Sequence, residues 1–121
     1  MCAASAGYAH HSYAMYDAEK TVEYTGTVSS VRWANPHVWI ELAVPSPDGS
    51  ADKVLNIEGH SPAGMRSLGW EKDTVVAGDV VTVSIHPLRS GQFVGALVKA
   101  IKDGVPIEAQ RKNQKQEGAG K

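Results

Sequence analysis

WANPHVWIEL, residues 33–42, decides the fold because it separates one strand from the next. Pro36 has no amide hydrogen for a strand ladder and pushes Asn35 towards an extended or turn conformation. From His37 onward, apolar and polar side chains alternate as in a half-buried strand. The predicted core face carries Val38, Ile40, Leu42 and Val44. The predicted outward face carries His37, Trp39, Glu41 and Ala43.

The segment before this break, residues 20–33, predicts a long first strand that bends. Its inward positions run with period two through Val28 and then change phase, so that Val31 and Trp33 continue the pattern. One inserted residue explains the phase change, and we expect a β-bulge near Ser29 and Ser30. Gly26 permits a sharp bend, and a coiled first strand of this kind helps a sheet close into a barrel.

Downstream, the chain predicts a hairpin, a short helix and two more strands. Residues 45–52 form a turn around Asp48 and Gly49, and residues 53–58 return as a strand. Ser61 is suited to cap a helix over residues 62–68, with Pro62 at its first position and Gly69 as its stop. Alternation then predicts strands over residues 79–86 and 92–101.

The resulting order, β-β-β-α-β-β, is that of an OB-like five-stranded barrel, an all-β fold with one short helix. The alternative is a β-sandwich, which normally needs about seven strands. We expect a single domain over residues 10–106. Residues 107–121 carry no aromatic side chain and, after Ile107, no β-branched one, so we expect a disordered polar tail there.

Composition excludes several classes of function. The chain of 121 residues has 42% hydrophobic and 21% charged residues, which is ordinary globular composition. A formal net charge of −1 gives no general electrostatic case for nucleic acid. No apolar run approaches the roughly 20 residues that cross a bilayer, so we expect no membrane span.

The first nine residues are interpreted as a signal-peptide remnant or a disordered leader. They are rich in small apolar residues and contain the single cysteine, Cys2. Gly7 and Ala9 occupy the −3 and −1 positions of a signal-peptidase site, which would leave His10 as the mature N-terminus. Together with a cysteine-free body, this pattern predicts export to the periplasm or secretion.

Four segments resemble a family of small exported bacterial proteins of unknown function. They are HHSYAMYD (10–17), GTVSSVRWANPHVWI (26–40), SPAGMRSLGW (61–70) and AGDVVTVSIHPLRSG (77–91). The resemblance implies export in a Gram-negative bacterium and assigns no activity. His60 departs from the expected pattern, in which an acidic or small residue precedes the Ser-Pro step.

The histidines predict a copper or zinc site, because neutral imidazole is the commonest protein ligand for both metals. The candidate ligands are His10, His11, His37 and His86. No pair has the His-x-x-x-His spacing of a helical zinc site, and each ring also fits a surface or core-edge hydrogen-bonding role. A free amine at His10 would add a ligand, whereas cleavage one residue earlier would place His11 third, which suits square-planar Cu(II) or Ni(II).

The outward face of the second strand predicts a second kind of site. In OB-folds this face commonly binds ligands, and here it presents Trp39 for stacking and Glu41 for orientation. The alternative function is therefore a metal-free interaction protein that docks a partner chain or polymer on Trp33, Trp39 and Trp70, or that forms a homodimer. Enzymatic activity is less favoured, since the sequence has no Gly-x-Ser-x-Gly elbow and no phosphate-cradling glycine loop.

Overall fold

The computed structural model describes residues 14–110; residues 1–13 and 111–121 lie outside that range. Strands dominate, and the described chain has one short helix. The elements in chain order are β1 (Val22–Arg32), β2 (Trp39–Val44), β3 (Lys53–Glu58), α1 (Pro62–Ser67), β4 (Val80–Pro87), β5 (Val94–Lys102) and β6 (Val105–Glu108).

The first five strands form a closed mixed barrel, as the sequence predicts. Their order is β3-β2-β1-β4-β5, with antiparallel neighbours throughout. Parallel pairing of β3 with β5 joins the two ends, and Ile57 lies opposite Gly95 at that seam. This closure is the OB-like arrangement. The described strands belong to one sheet and not to the two packed sheets of a sandwich.

The predicted bulge in β1 is confirmed. The register between β1 and β2 shifts between Val28 and Ser30, so the inserted residue sits where the apolar phase changes. Gly26 is required two residues earlier, because a Cβ at that position would collide with the backbone carbonyl oxygen of Ala43. The bulge and the glycine together let β1 coil and pair with both β2 and β4.

The predicted core face of β2 is also confirmed. Val38, Ile40 and Leu42 are buried, whereas Trp39 is half-buried and Glu41 is exposed. The rest of the core comes from the inward rows of the other strands and from the segment after α1. Its largest fully buried members are Trp70, Leu42, Leu55, Ile57, Met65, Ile85, Val28, Val38 and Val83.

Helix α1 begins and ends as its capping residues indicate. The Ser61 hydroxyl accepts a hydrogen bond from the Gly64 amide at 3.1 Å, and Pro62 occupies the first helical position. Gly69 has φ of +97°, a left-handed conformation that terminates the helix. Within residues 14–110, no helix is long and apolar enough to cross a membrane.

The position of Trp70 corrects the prediction of an outward aromatic face. Its side chain is only 1% exposed and belongs to the core. The indole N–H donates to the Glu108 carbonyl oxygen at 2.8 Å, so the ring is held between the barrel and the C-terminal segment. Trp70 follows the left-handed turn at Gly69, which redirects the chain inward after α1.

The sixth strand corrects the predicted start of a disordered tail at residue 107. β6 runs to Glu108 along the part of the β5 edge that β3 leaves free, and the Ala109 side chain is fully buried. The Ala109 amide donates to the Val98 carbonyl oxygen at 2.9 Å. Backbone pairing, which composition does not reveal, therefore holds residues 107–110 on the barrel.

An ion pair on the loop before β4 gives the fold a predicted pH dependence. The Asp79 carboxylate accepts from the Val76 amide and the Lys102 ammonium, each at 2.9 Å. These contacts lower the pKa of Asp79, the Val76 amide contributing most. Since the folded pKa lies below the unfolded one, the stabilisation is present above about pH 4 and is lost as pH falls through the folded value.

We therefore expect Asp79→Asn to lower the midpoint of thermal unfolding at pH 7. The difference in midpoint between this variant and the wild type should become smaller as the pH falls below about 4. Thermal unfolding of both proteins across that range measures the difference. Asp52→Asn is the matched control, because Asp52 is an exposed acid. If the two unfolding midpoints differ by the same amount at pH 7 and below about pH 4, the ionisation of Asp79 does not contribute to stability and the prediction is wrong.

Candidate functional site

A pocket of about 230 Å³, here called the rim pocket, lies on the outer surface of the barrel. The segment before β1 and the segment after β6 form its sides. Its polar lining consists of Tyr16, Glu58, His60, His86 and Gln110.

Strand register brings Glu58 and His86, an acid and an imidazole, into the lining of this pocket. Glu58 in β3 and His86 in β4 both lie opposite Ala96 in β5. The row faces outward, because the chain neighbours Ile57, Ile85 and Leu97 are in the core. Two strand spacings separate the Cα atoms of Glu58 and His86 by about 10 Å. The small Ala96 side chain between them leaves room for a ligand.

The N-terminal arm, residues 14–20, forms one side of the rim pocket. It runs along the end of β4 and pairs with it through two backbone hydrogen bonds of 2.8 Å. The Asp17 amide donates to the Pro87 carbonyl oxygen, and the Arg89 amide donates to the Met15 carbonyl oxygen. Tyr16 is 6% exposed, and its hydroxyl donates to Glu58 Oε1 at 2.6 Å. The arm is thus fastened by backbone pairing and by one short, charge-assisted hydrogen bond.

Glu58 also contacts His37. The carboxylate is 7% exposed, and its Oε2 lies 3.4 Å from His37 Nδ1. The same Nδ1 lies 3.0 Å from the Gly59 carbonyl oxygen. A carbonyl oxygen only accepts, so Nδ1 carries the hydrogen. In the neutral ring, Nε2 is then the nitrogen without a hydrogen.

His86 has the same tautomer for the same reason. Its Nδ1 donates to the Lys20 carbonyl oxygen at 2.7 Å, and its Nε2 accepts from the Gln110 side-chain amide at 3.0 Å. His60 has the opposite tautomer, because its Nε2 donates to the Ala109 carbonyl oxygen at 2.9 Å. The backbone therefore assigns the proton on each of these three rings.

The structure brings together only some of the predicted metal ligands. His86 lines the rim pocket, and His37 adjoins it through Glu58. His10 and His11 lie outside the described residues. Within residues 14–110, no group of three histidine, cysteine or acidic side chains is arranged to hold a metal ion. The four-histidine ligand set stays a prediction.

The predicted ligand-binding pair on β2 lies beside the rim pocket and does not line it. Trp39 is opposite Glu58 in the strand register and half-buried. Glu41, two residues after Trp39 on the same face of β2, is exposed, and its carboxylate accepts a hydrogen bond from the Ser30 hydroxyl at 3.0 Å. Trp33 is half-buried beneath the Arg66 guanidinium, which lies 5.6 Å from the ring centroid.

Sequence reasoning missed four polar residues of the site, namely Tyr16, Glu58, His60 and Gln110. Glu58 occupies an outward strand position where a charged residue is ordinary, so the sequence carries no signal of its burial. Tyr16 belongs to the HHSYAMYD segment, which stood out as a motif without indicating a contact. Gln110 lies in the segment whose composition predicts a polar tail.

The fold and the site together define a small OB-like barrel protein with a pocket at its rim that contains histidine and glutamate side chains. Residues 1–98 match DUF6152, a family of unknown function, and the chain belongs to this family. Comparison with curated proteins and with solved structures gives no match. The family match ends within β5, so β6 and Gln110 lie beyond it.

Proposed function

We propose that this protein is an exported periplasmic binding module that holds a copper or zinc ion through rim histidines, His86 and His37 among them. One observation carries the proposal: both rings donate Nδ1–H to a backbone carbonyl oxygen. Histidines that ligate metals commonly make this hydrogen bond, which fixes the tautomer and directs the Nε2 lone pair at the metal.

The electrostatics of the rim pocket favour a cation. Glu58 places a carboxylate with 7% exposure beside the pocket, and a buried negative charge attracts a positive ligand. His86 Nε2 faces the pocket as an acceptor, because Nδ1 already carries the ring hydrogen. A metal ion at Nε2 has to displace the Gln110 amide, which donates to that atom at 3.0 Å.

The N-terminal arm supplies a route for further ligands. His11 precedes Tyr16 by five residues, and five residues reach about 18 Å at most. Tyr16 lines the same pocket as His86, and the proposal keeps His10 and His11, which lie outside the described residues, as further ligands. A signal-peptidase cut after Ala9 would add the free amine of His10 to this ligand set.

Titration calorimetry with Cu(II) and Zn(II), on protein exported and purified with its native N-terminus, tests the proposal. We expect His86→Asn to weaken binding about 100-fold, since a ligand is lost. Affinity for the unaltered protein should fall as the solution is acidified, because protons compete with the metal for imidazole nitrogens. Gln110→Ala should strengthen binding severalfold, since it removes the group that competes for Nε2.

His60→Asn is the matched control, because His60 lines the same pocket with the opposite tautomer. We expect this variant to change metal affinity by less than about threefold, which is under 1 kcal/mol. Equal losses in His60→Asn and His86→Asn would contradict the assignment. Metal binding no tighter than about 1 mM, equivalent to roughly 4 kcal/mol, would remove the proposal altogether.

The metal-free alternative is a protein that docks a partner chain or polymer on the outer face of β2. Trp39 keeps part of its surface exposed there, and the exposed Glu41 lies beyond it on the same face. Loss of association in Trp39→Ala, with His86→Asn unaffected, would favour this function over the metal site. The reverse pattern would favour the metal site.

A further inference from the structure

A second cavity, here called the barrel mouth, lies at the end of the barrel where β2 turns into β3. Its volume is about 480 Å³, within the range of pockets that hold small organic molecules. The loop of residues 45–50 forms one side. Tyr24, Val44, Lys53 and Phe93 form the other. The rim pocket lies at the opposite end of β3, at Glu58, so the two cavities are separate.

Lys53 occupies a core-facing position at this mouth. It lies opposite Val44 in the register of β2 and β3, and Val44 continues the inward row of β2. Along β3, Leu55 and Ile57 follow on the same face, and both are fully buried. A lysine therefore ends a row that is otherwise apolar, and this lysine is exposed and lines the cavity.

The wall of the barrel mouth is aromatic. The Tyr24 and Phe93 rings meet edge to face, with centroids 5.1 Å apart and an interplanar angle of 88°. Both rings pack against the core and are partly exposed. An arrangement of this kind leaves ring surface on which a flat apolar ligand can pack.

The polar groups at the mouth are available to a ligand. Among residues 14–110, neither the Lys53 ammonium nor the Tyr24 hydroxyl has a hydrogen-bond or ion-pair partner. The nearest acid on the loop, Asp48, accepts from the Ser50 amide at 3.0 Å and from the Ser50 hydroxyl at 2.7 Å. These two bonds lower the pKa of Asp48 and direct its carboxylate into the turn.

We propose that the barrel mouth binds an aromatic monocarboxylate. The ring of the ligand packs on Tyr24 and Phe93, and its carboxylate pairs with the Lys53 ammonium at the opening. The combination of an aromatic wall with one unpaired cation selects this class, because a neutral arene lacks the charge and an amine would be repelled by Lys53. The site is independent of the metal proposed at the rim.

Titration of the full chain with 3-phenylpropionate, followed by nuclear magnetic resonance and calorimetry, tests the proposal. We expect shifts at Tyr24 and Phe93 and binding that Lys53→Met weakens about tenfold, the effect of losing a hydrogen bond to a charged group. Lys53→Arg should retain the binding. Lys72→Met is the matched control, because Lys72 is an exposed lysine outside the barrel mouth.

Neutral 3-phenylpropanol should bind more weakly than the carboxylate and should not distinguish Lys53→Met from the unaltered protein. Lys53 is exposed, so the variants should unfold at the same temperature as the wild type, which a thermal scan verifies. The proposal is overturned if 3-phenylpropionate does not bind below about 10 mM, or if Lys53→Met and Lys72→Met bind it equally well.

Discussion

Trp70→Ala is expected to lower the free energy of unfolding by about 3–5 kcal/mol. The indole is 1% exposed and packs in the core at the end of the barrel near α1. Its removal leaves a large cavity and deprives the Glu108 carbonyl oxygen of the donor that lies 2.8 Å away. The C-terminal segment then loses one of its side-chain attachments, so β6 should open before the rest of the barrel.

Urea unfolding followed by circular dichroism measures the loss, with Trp39→Ala as the matched control. Trp39 is the same residue type in a half-buried position, so its truncation should cost clearly less. Trp70→Phe should recover part of the packing without the hydrogen bond. Equal destabilisation by Trp70→Ala and Trp39→Ala would mean that the indole of Trp70 is not a core element.

Glu58→Ala is expected to destabilise the protein by about 2–4 kcal/mol and to loosen the N-terminal arm. The carboxylate is 7% exposed, accepts from the Tyr16 hydroxyl at 2.6 Å and lies 3.4 Å from His37 Nδ1. Truncation leaves the Tyr16 hydroxyl without this acceptor in a nearly buried place. Amide hydrogen exchange at Asp17 and Arg89, whose amides pair the arm with the end of β4, should accelerate.

Glu41→Ala is the matched control, because Glu41 is an exposed glutamate on the neighbouring strand. It should change stability by no more than about 0.5 kcal/mol. A double-mutant cycle of Tyr16→Phe with Glu58→Gln should give a coupling energy of about 0.5–3 kcal/mol. Additive effects in that cycle, or unchanged exchange of the arm in Glu58→Ala, would contradict the fastening of the arm by Glu58.

Local patterns in the sequence determined the barrel itself. Period-two alternation defined the core face of β2, and the phase change after Val28 located the bulge. Pro36 lies between the first two strands and separates them, and the Ser61 cap bounded the helix. These features depend on the backbone preferences of a residue and its immediate neighbours, which are present in the sequence without knowledge of the fold.

Only the tertiary structure decided what the site contains. Glu58 and Tyr16 are 42 positions apart in the chain. They meet because Glu58, Ala96 and His86 lie side by side across β3, β5 and β4, and the N-terminal arm packs along this row. The burial of Trp70 and the pairing of β6 likewise depend on where distant segments meet. A side chain acquires its partner, tautomer and exposure from neighbours in space, and those neighbours are fixed only when the sheet closes into a barrel.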